Sequence, residues 1–362
     1  MDRKHPDPAG ARSHVALVLH PSMNRPTAPV CSICIANYNG EALLADCIDS
    51  VLEQDCDFAF EILVHDDASS DRSLQLLRER YPQVEVIESA QNVGFCIANN
   101  RLARRARGEY LLLLNNDAAL APDALATLLQ HAQRQSPPGI LTLPQYDWLT
   151  GELVDRGCLL DPFYNPVPNL DATRTDVAMV IGACLWIPLA LWQELDGFPE
   201  WFESIAEDMY LCCRARLAGF PVHVTSISGY RHRQGISFGG NRATGGRLAS
   251  TYRRRRLSER NKTFVLALCT PAPWIWLVLP LHLVALATEG ALLAIAKREP
   301  RIWREIYANV YRSLMQKSEH LRHERTRIQQ TRASSAREYS NCFVPMPRKL
   351  ELAVKHGLPG LR

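Results

Sequence analysis

Several short polar turns interrupt otherwise apolar runs in this sequence, and their side chains are suited to binding charge. Asp66 closes the run FEILVHD, with Asp67 next to it. A carboxylate there can accept a hydrogen bond from a base imide N–H or a ribose hydroxyl, while Ser69, Ser70 and Asp71 behind it read as a helix N-cap. Asn37, Tyr38, Asn39 and Gly40 follow the run VCSICIA, and Asn92 and Gly94 follow VEVIES, where glycine permits close backbone approach to a ligand. The sharpest pattern is LLLLNND, an apolar run that stops abruptly at Asn115, Asn116 and Asp117. Hard divalent cations such as Mg²⁺ or Mn²⁺ favour oxygen ligands and share their shell with substrate phosphates, so one carboxylate plus a diphosphate would suit. A helix N-cap ahead of Pro122 is the plain structural alternative. Glu207 and Asp208 open a later helix, where the macrodipole favours a first-turn acid. Two adjacent acids after Trp201 and Phe202 also suit a general base beside a substrate pocket. His232, in YRHRQGIS, is a lone histidine, a type more often hydrogen-bonded than ligating.

The elements that must position these groups follow from hydrophobic patterning. Between residues 30 and 145, strand-length apolar runs (VCSICIANY, FEILVHD, VEVIES, EYLLLLN, GILTLP) alternate with amphipathic stretches over 41–53, 71–81, 96–107 and 122–134. Near-continuous apolar strands between helices predict an α/β fold with a parallel sheet covered on both faces. Ligands in such sheets bind beyond the carboxyl ends of the strands, which is where the polar turns fall. Residues 146–176 are rich in Pro, Asp and Gly and read as irregular. VAMVIGACLWI then reads as a strand, PLALWQELDG as a helix, SIAEDMYLCCRARLAG as a helix closed by Gly219, and PVHVTS as a short strand.

Residues 264–288 contain no Asp, Glu, Lys or Arg, and the apolar run continues to Ala296. At ~1.5 Å per residue, Trp274 to Ala296 could cross a hydrocarbon core of ~30 Å. Pro271, Pro273, Pro280 and Glu289 argue against a simple span, as do the basic flanks on both sides. A membrane-embedded or monotopic segment and a buried helix pair are both open. The tail beyond residue 300 reads as helical and basic.

The chain has 362 residues, 47% hydrophobic and 22% charged, with a formal charge of +3. That balance gives no case for a nucleic-acid partner. Eleven scattered cysteines do not form a disulfide framework. Cys31 and Cys34 have CxxC spacing, but in a strand they point to opposite faces, which a shared metal would not tolerate. A reduced, cytoplasmic chain with a flexible leader over 1–28 is expected. No G-x-G-x-x-G follows the first strand and no G-x-x-x-x-G-K-[ST] occurs, so dinucleotide and P-loop chemistry fit poorly.

In order, these motifs resemble the inverting family 2 glycosyltransferases of GT-A fold, in their rhamnosyltransferase-like branch. CIANYNG, LVHDDASSD, QNVGFCIANN and LLLLNND match the family's first turn, its V-D-N-x-S-S-D, its N-x-G-F-x-x-x-N-N and its variant of the metal-binding DxD motif. GACLWIPLALWQELDGFPEWFESIAEDMYLCCRARLAG resembles the glycine-alanine strand, the G-F-x-x-x-F loop and the E-D-x-D-L-C-x-R-x-R-x-x-G helix. HRQGIS resembles H-x-x-G-x-S, and RRRRLSERNK a basic R-N element before a hydrophobic tail. The resemblance spans about residues 30 to 290. It departs at His65, at Asp67 (often Asn), at Arg101 (often Gly) and at Tyr210, which replaces the second acid of E-D-x-D.

The resemblance implies a Rossmann-like GT-A domain over 29–250, with a nucleotide-binding half at 29–145 and an acceptor half at 146–250. A helical C-terminal region over 251–362 would follow, with its hydrophobic segment at 264–296. It implies that Asn37, Tyr38, Asn39, Asp66, Asp67, Gly94 and Asn116 bind the nucleotide sugar. Asp117 would hold Mg²⁺ or Mn²⁺ with His232 in support, and Asp208 would be the base with Glu207 beside it. The implied activity moves a sugar from a nucleotide-diphosphate donor to a saccharide or lipid-linked saccharide, in surface polysaccharide or glycolipid assembly at the inner face of the cell membrane. dTDP-rhamnose, UDP-hexoses and UDP-galactofuranose are all compatible donors. The competing reading is a catalytically silent nucleotide-sugar binder or membrane-tethered assembly protein, against which the presence of Asp208 argues.

Overall fold

The computed structural model describes residues 28–233, 240–244, 247–356 and 360–361. The expected leader, Ala28 excepted, and residues 234–237 of HRQGIS lie outside them.

The apolar runs of the first 145 residues become β1 (Cys31–Asn37), β2 (Phe60–Asp66), β3 (Glu85–Glu88), β4 (Tyr110–Leu114), a short β5 (Ala118–Leu120) and β6 (Ile140–Thr142). Between them run α1 (Glu41–Leu52), α2 (Ser73–Arg80), α3 (Phe95–Arg105) and α4 (Ala124–Arg134). The stretch that reads as irregular contributes β7 (Gln145–Asp147), β8 (Leu153–Asp155), β9 (Cys158–Leu160) and β10 (Pro166–Pro168). Three-residue strands carry too little alternation to register as periodic. β11 (Cys184–Pro188), α5 (Leu189–Glu194), α6 (Glu207–Leu217), β12 (Val222–Val224) and β13 (Tyr230–His232) follow.

The central sheet has the order β12-β6-β11-β4-β1-β2-β3. All its pairings are parallel except those of β11, which runs antiparallel to both β4 and β6. Side chains of β1 alternate between two cores, as a two-residue period demands. Cys31, Ile33 and Ile35 pack with α1 and α4, while Cys34 packs with α3, α6 and the first C-terminal helix. The CxxC pair is thus split between opposite faces, and all eleven cysteines are free. A second sheet, β5-β13-β7-β8, continues directly from the end of β4.

The C-terminal region is helical: α7 (Tyr252–Cys269), α8 (Ile275–Ala296), a π-helical turn (Ile302–Tyr307), α9 (Ala308–Gln316), α10 (Ser318–Gln330), α11 (Ala336–Ser340) and α12 (Arg348–His356). The apolar run 264–296 is not one segment. It breaks at 270–274, where Pro271 and Pro273 have no N–H for a helical bond. Phe264, Val265, Leu266, Leu268 and Cys269 then fall in the core beside α6, while α8 is largely exposed. The end of the chain returns to the domain. Cys342 O accepts from Leu160 N (3.1 Å), Val344 N donates to Leu160 O (2.8 Å), and Arg348 N donates to Asp161 Oδ2 (2.7 Å).

Candidate active site

The turns after β1, β2 and β4 are tied into one network. Asn37 Nδ2 donates to Asp66 Oδ1 (3.0 Å), and Asn116 Nδ2 donates to Asn37 Oδ1 (2.8 Å). Ser69 closes the ring from its backbone N–H to Asp66 Oδ2 (3.0 Å) and from its hydroxyl to Asp66 Oδ1 (2.7 Å). Gly40 is required here, since a Cβ would meet Asn37 Oδ1 at 2.1 Å and Asn116 Nδ2 at 2.4 Å. Asn37, Asp66 and Asn116 are buried, whereas Tyr38 and Asn39 stand at the surface. Of the three residues read as a cap, only Asp71 caps: Oδ1 accepts from Ser73 N (3.0 Å) and Oδ2 from Glu41 N (2.9 Å), so one carboxylate serves α1 and α2. Ser69 and Ser70 instead grip Asn39, at 2.9 and 2.7 Å. Both oxygens of Asp67 accept loop N–H groups, from Val93 (2.7 Å) and Gly94 (2.8 Å). Gly94 has φ +88, a conformation glycine adopts without steric cost.

Asp117 does not cap a helix. It enters β5, and β13 pairs with β5 so that His232 lies opposite Ala118. His232 Nε2 lies 3.1 Å from Asp117 Oδ1, and its Nδ1 lies 3.3 Å from Gln145 Oε1, which also accepts from Tyr230 OH (2.7 Å). One carboxylate and one imidazole are therefore presented together. Among the described residues no cluster of three or more His, Cys, Asp or Glu could hold a metal by itself. Two protein ligands suffice for an ion that takes the rest of its shell from phosphates and water, so the donor set fits Mg²⁺ or Mn²⁺. Asp155, buried in β8, faces the same histidine, and burial pushes its carboxyl up to about 7.

The second pair of acids opens α6, and Asp208 reaches the chain just ahead of β11. Cys184 pairs with Leu114, and Asn115 N donates to Ala183 O (3.0 Å), so Gly182 lies beside the Asn115–Asp117 turn. Asp208 Oδ2 accepts from Gly182 N (3.0 Å) and Oδ1 from Met209 N (2.7 Å). Burial raises the Tyr230 hydroxyl well above its ordinary value, and that hydroxyl donates to Gln145 Oε1 beside His232. Glu207 is 6% exposed, and its Oε2 has no hydrogen-bond partner. Burial, reinforced by the adjacent Asp208, pushes the Glu207 carboxyl up to about 8. Burial raises the Asp208 carboxyl as well, and its N–H donors from Gly182 and Met209 oppose the rise.

The loop before α6 is strained. Glu203, Ile205 and Ala206 have φ of 69, 73 and 69, rare for residues with side chains and rarest for a β-branched one. Asn261 of α7, fully buried, holds this loop: its Nδ2 donates to Phe202 O (2.9 Å), Ser204 O (2.9 Å) and Ile205 O (2.8 Å). Arg260 adds a bond to Phe202 O (3.0 Å) and a salt bridge to Glu203 (3.1 Å). Glu203 O in turn accepts from Cys96 N (3.4 Å), joining this loop to the one that carries Gly94.

The Glycosyl transferase family 2 profile matches residues 32–147, and the Glycosyl transferase family group 2 profile matches residues 110–296, just over half of the chain. The chain belongs to the family 2 glycosyltransferases. Chondroitin synthase of Escherichia coli is 30% identical over 188 residues, 51% of this chain and 26% of that protein. Poly(ribitol-phosphate) beta-glucosyltransferase of Bacillus spizizenii is 28% identical over 205 residues, 55% of this chain and 31% of that protein. The chain thus spans under a third of the length of these relatives. A crystal structure of GalNAc-T7 with UDP, GalNAc and Mn²⁺ superposes with a TM-score of 0.55 at 16% identity, over 69% of this chain and 49% of that one. That likeness establishes the GT-A fold.

In this glycosyltransferase, two departures from the family pattern touch each other. Arg101 Nη1 lies 3.3 Å from His65 Nε2 and donates to Ser89 Oγ (3.2 Å), directly behind Asp66 and Asp67. Tyr210 is buried against Phe202 and Arg214, so the residue replacing the second acid packs inward. Three features escape the sequence reading. Asp155 depends on long-range contacts that no local pattern signals, and so does the clamp made by Asn261, which the sequence marks only as part of the R-N element. Arg254, half-buried near the start of α7, faces the charges of Glu207 and Asp208. Its only signal is membership of the tetraarginine run.

Proposed function

We propose that this glycosyltransferase moves a sugar, with inversion, from a nucleotide-diphosphate donor to an acceptor hydroxyl, and that Asp208 is the base. The observation that carries this reading is the Asp208–Gly182 hydrogen bond of 3.0 Å, which anchors the carboxylate on the strand beside the Asn115–Asp117 turn. Asp208, the more readily ionised of the pair, takes the acceptor proton as the acceptor oxygen bonds to the anomeric carbon. The bond to the diphosphate breaks on the opposite face, and its electrons leave with the nucleotide. Burial pushes the Glu207 carboxyl up to about 8, which disfavours a second negative charge beside the base, and Arg254 faces both acids.

The ring of Asn37, Asp66 and Asn116 sets the shape of the nucleoside pocket, with Tyr38 and Asn39 at its rim. Asp67 acts through the loop it holds, fixing Gly94 at the pocket wall. Asp117 and His232 would hold Mg²⁺ or Mn²⁺. When bound, that ion neutralises charge on the leaving diphosphate. Mn²⁺ and UDP accompany the sugar in the GalNAc-T7 structure, which supports a metal and a UDP-type donor here. The polymer-forming relatives support a saccharide acceptor in surface polysaccharide assembly. We place a hexosyl or rhamnosyl donor and a lipid-linked acceptor, met at the cytoplasmic face of a membrane, within the same proposal.

The test pairs two variants. Asp208→Asn should abolish transfer while leaving nucleotide-sugar affinity nearly intact, and Asp117→Ala should weaken metal-dependent donor binding. Thermal shift with nucleotide diphosphates, with and without Mn²⁺, reads binding, and mass spectrometry over a donor panel reads transfer. Full turnover by Asp208→Asn would remove the base assignment.

A further inference from the structure

α8 has two faces of different fate. Ile275, His282, Leu286, Gly290 and Leu293 form a stripe turned into the protein. Tyr307 of the π-helical turn packs so closely on Gly290 that a Cβ there would lie 2.4 Å from its ring. The opposite face presents Trp276, Leu277, Leu281, Val284, Leu292 and Ile295, with Trp276 79% and Ile295 74% exposed. Over 22 residues this apolar face runs about 33 Å. Monomeric surfaces seldom carry so long an uncovered apolar strip.

The acid in this helix does not spoil that face. Glu289 turns inward, 2.6 Å from Arg255 and 2.6 Å from Lys349. Those two also reach buried Glu259, at 3.0 and 2.7 Å, and Lys262 completes the cluster at 2.8 Å. If α8 crossed a bilayer, the elements packed on its inner side would carry this ion cluster into hydrocarbon, at a cost no local pairing offsets. Beyond α8 the chain exposes Lys297, Arg298, Arg301 and Arg304, of which Arg301 pairs with Glu305. Exposed tryptophan, an apolar face whose one hydroxyl (Thr288) bonds back to Val284 O, and a basic flank together match an anionic lipid surface.

We propose that α8 lies in the plane of an anionic bilayer, its exposed face sunk to the acyl boundary, and does not span it. This deepens the membrane part of the function proposed above. α7 is the shared element: it packs on α6, which carries the acids, and on α8, with Arg254 facing the acids and Arg255 reaching Glu289.

The test is co-sedimentation of the full chain with vesicles, without donor or acceptor, so that its failure leaves the transfer reading standing. Binding is expected on equimolar phosphatidylglycerol and phosphatidylcholine, weaker on phosphatidylcholine alone, and reduced by salt. Combining Trp276→Gln, Leu281→Gln and Val284→Gln should lower partitioning roughly tenfold or more. The variant should keep its nucleotide-dependent thermal shift, which shows that it is folded. Absence of vesicle binding, or equal binding by the variant, overturns the proposal. Vesicle-bound protein that resists alkaline carbonate extraction overturns it in favour of a span. A wild-type dimer that the triple variant dissociates, with no lipid binding, overturns it in favour of a second copy.

Discussion

Asn261 offers the most exacting test of how this site is held. Asn261→Ala removes the amide that bonds Phe202 O, Ser204 O and Ile205 O. Phe202 O keeps Arg260 and the Ser204 N–H, so Ser204 and Ile205 bear the loss. Two half-buried carbonyls deprived of that partner cost at most about 6 kcal/mol in total, the figure for full burial. The loop also stores strain at Glu203, Ile205 and Ala206, about 1–3 kcal/mol each, which is released once the clamp is gone. The two terms oppose each other, so net stability should fall by no more than about 3 kcal/mol, or roughly 4 °C in Tm for a chain of 362 residues. Catalysis has no such offset. Relaxation of the loop shifts the first turn of α6 and moves Asp208 off Gly182 N, and a displacement of about 1 Å costs on the order of a hundredfold in rate. The assay is kcat and donor Kd side by side with thermal unfolding. We expect kcat about a hundredfold lower with donor Kd little changed. If kcat stayed within about threefold of wild type while Tm fell as predicted, the loop would not be positioned for catalysis by this amide.

The other predictions concern protonation and the nucleotide turn. Glu207 has a folded pKa above its ordinary value of 4.5, so the folded state keeps a proton that the unfolded state has lost. Its contribution is therefore complete below about pH 4.5 and declines as pH rises towards about 8. Glu207→Gln should flatten that decline in a pH series of denaturant unfolding; an unchanged slope would place the proton elsewhere. Gly40→Ala should weaken nucleotide binding at least about tenfold, because the new methyl displaces Asn37 and Asn116. Calorimetric titration with nucleotide diphosphates would check it, and wild-type affinity would show that the turn can yield.

The sequence carries the frame of this fold plainly. Runs such as FEILVHD and EYLLLLN are buried on both faces of a parallel sheet, so composition alone marks them as strands. Asp66 and Asp117 are legible because an apolar strand that stops on an acid leaves a carboxylate at the sheet edge. What stays hidden is set by distance along the chain. β5, β7, β8 and β13 are too short to show alternation, so nothing local brings His232 to Asp117. Asn261 is marked only as part of the R-N element, and its clamp emerges when Phe202, 59 residues earlier, folds beneath it. Asp67 reads from sequence as a ligand beside Asp66, and the fold gives it the further task of holding the Val93 and Gly94 N–H groups. The apolar run 264–296 is uniform in composition but divides between interior and surface, because burial depends on what the neighbouring helices cover.

The return of the chain end to Leu160 and Asp161 bears on how this enzyme can be shortened. Removing everything after the apolar helix looks like trimming an accessory to gain solubility. It would instead pull out the strand-like stretch that flanks β9, leave Glu289 and Glu259 without Lys349, and take away the Tyr339 hydroxyl that Tyr164 meets in the interior. Solubility is better sought by recolouring the outward side of α8, residue by residue, with the seam left closed.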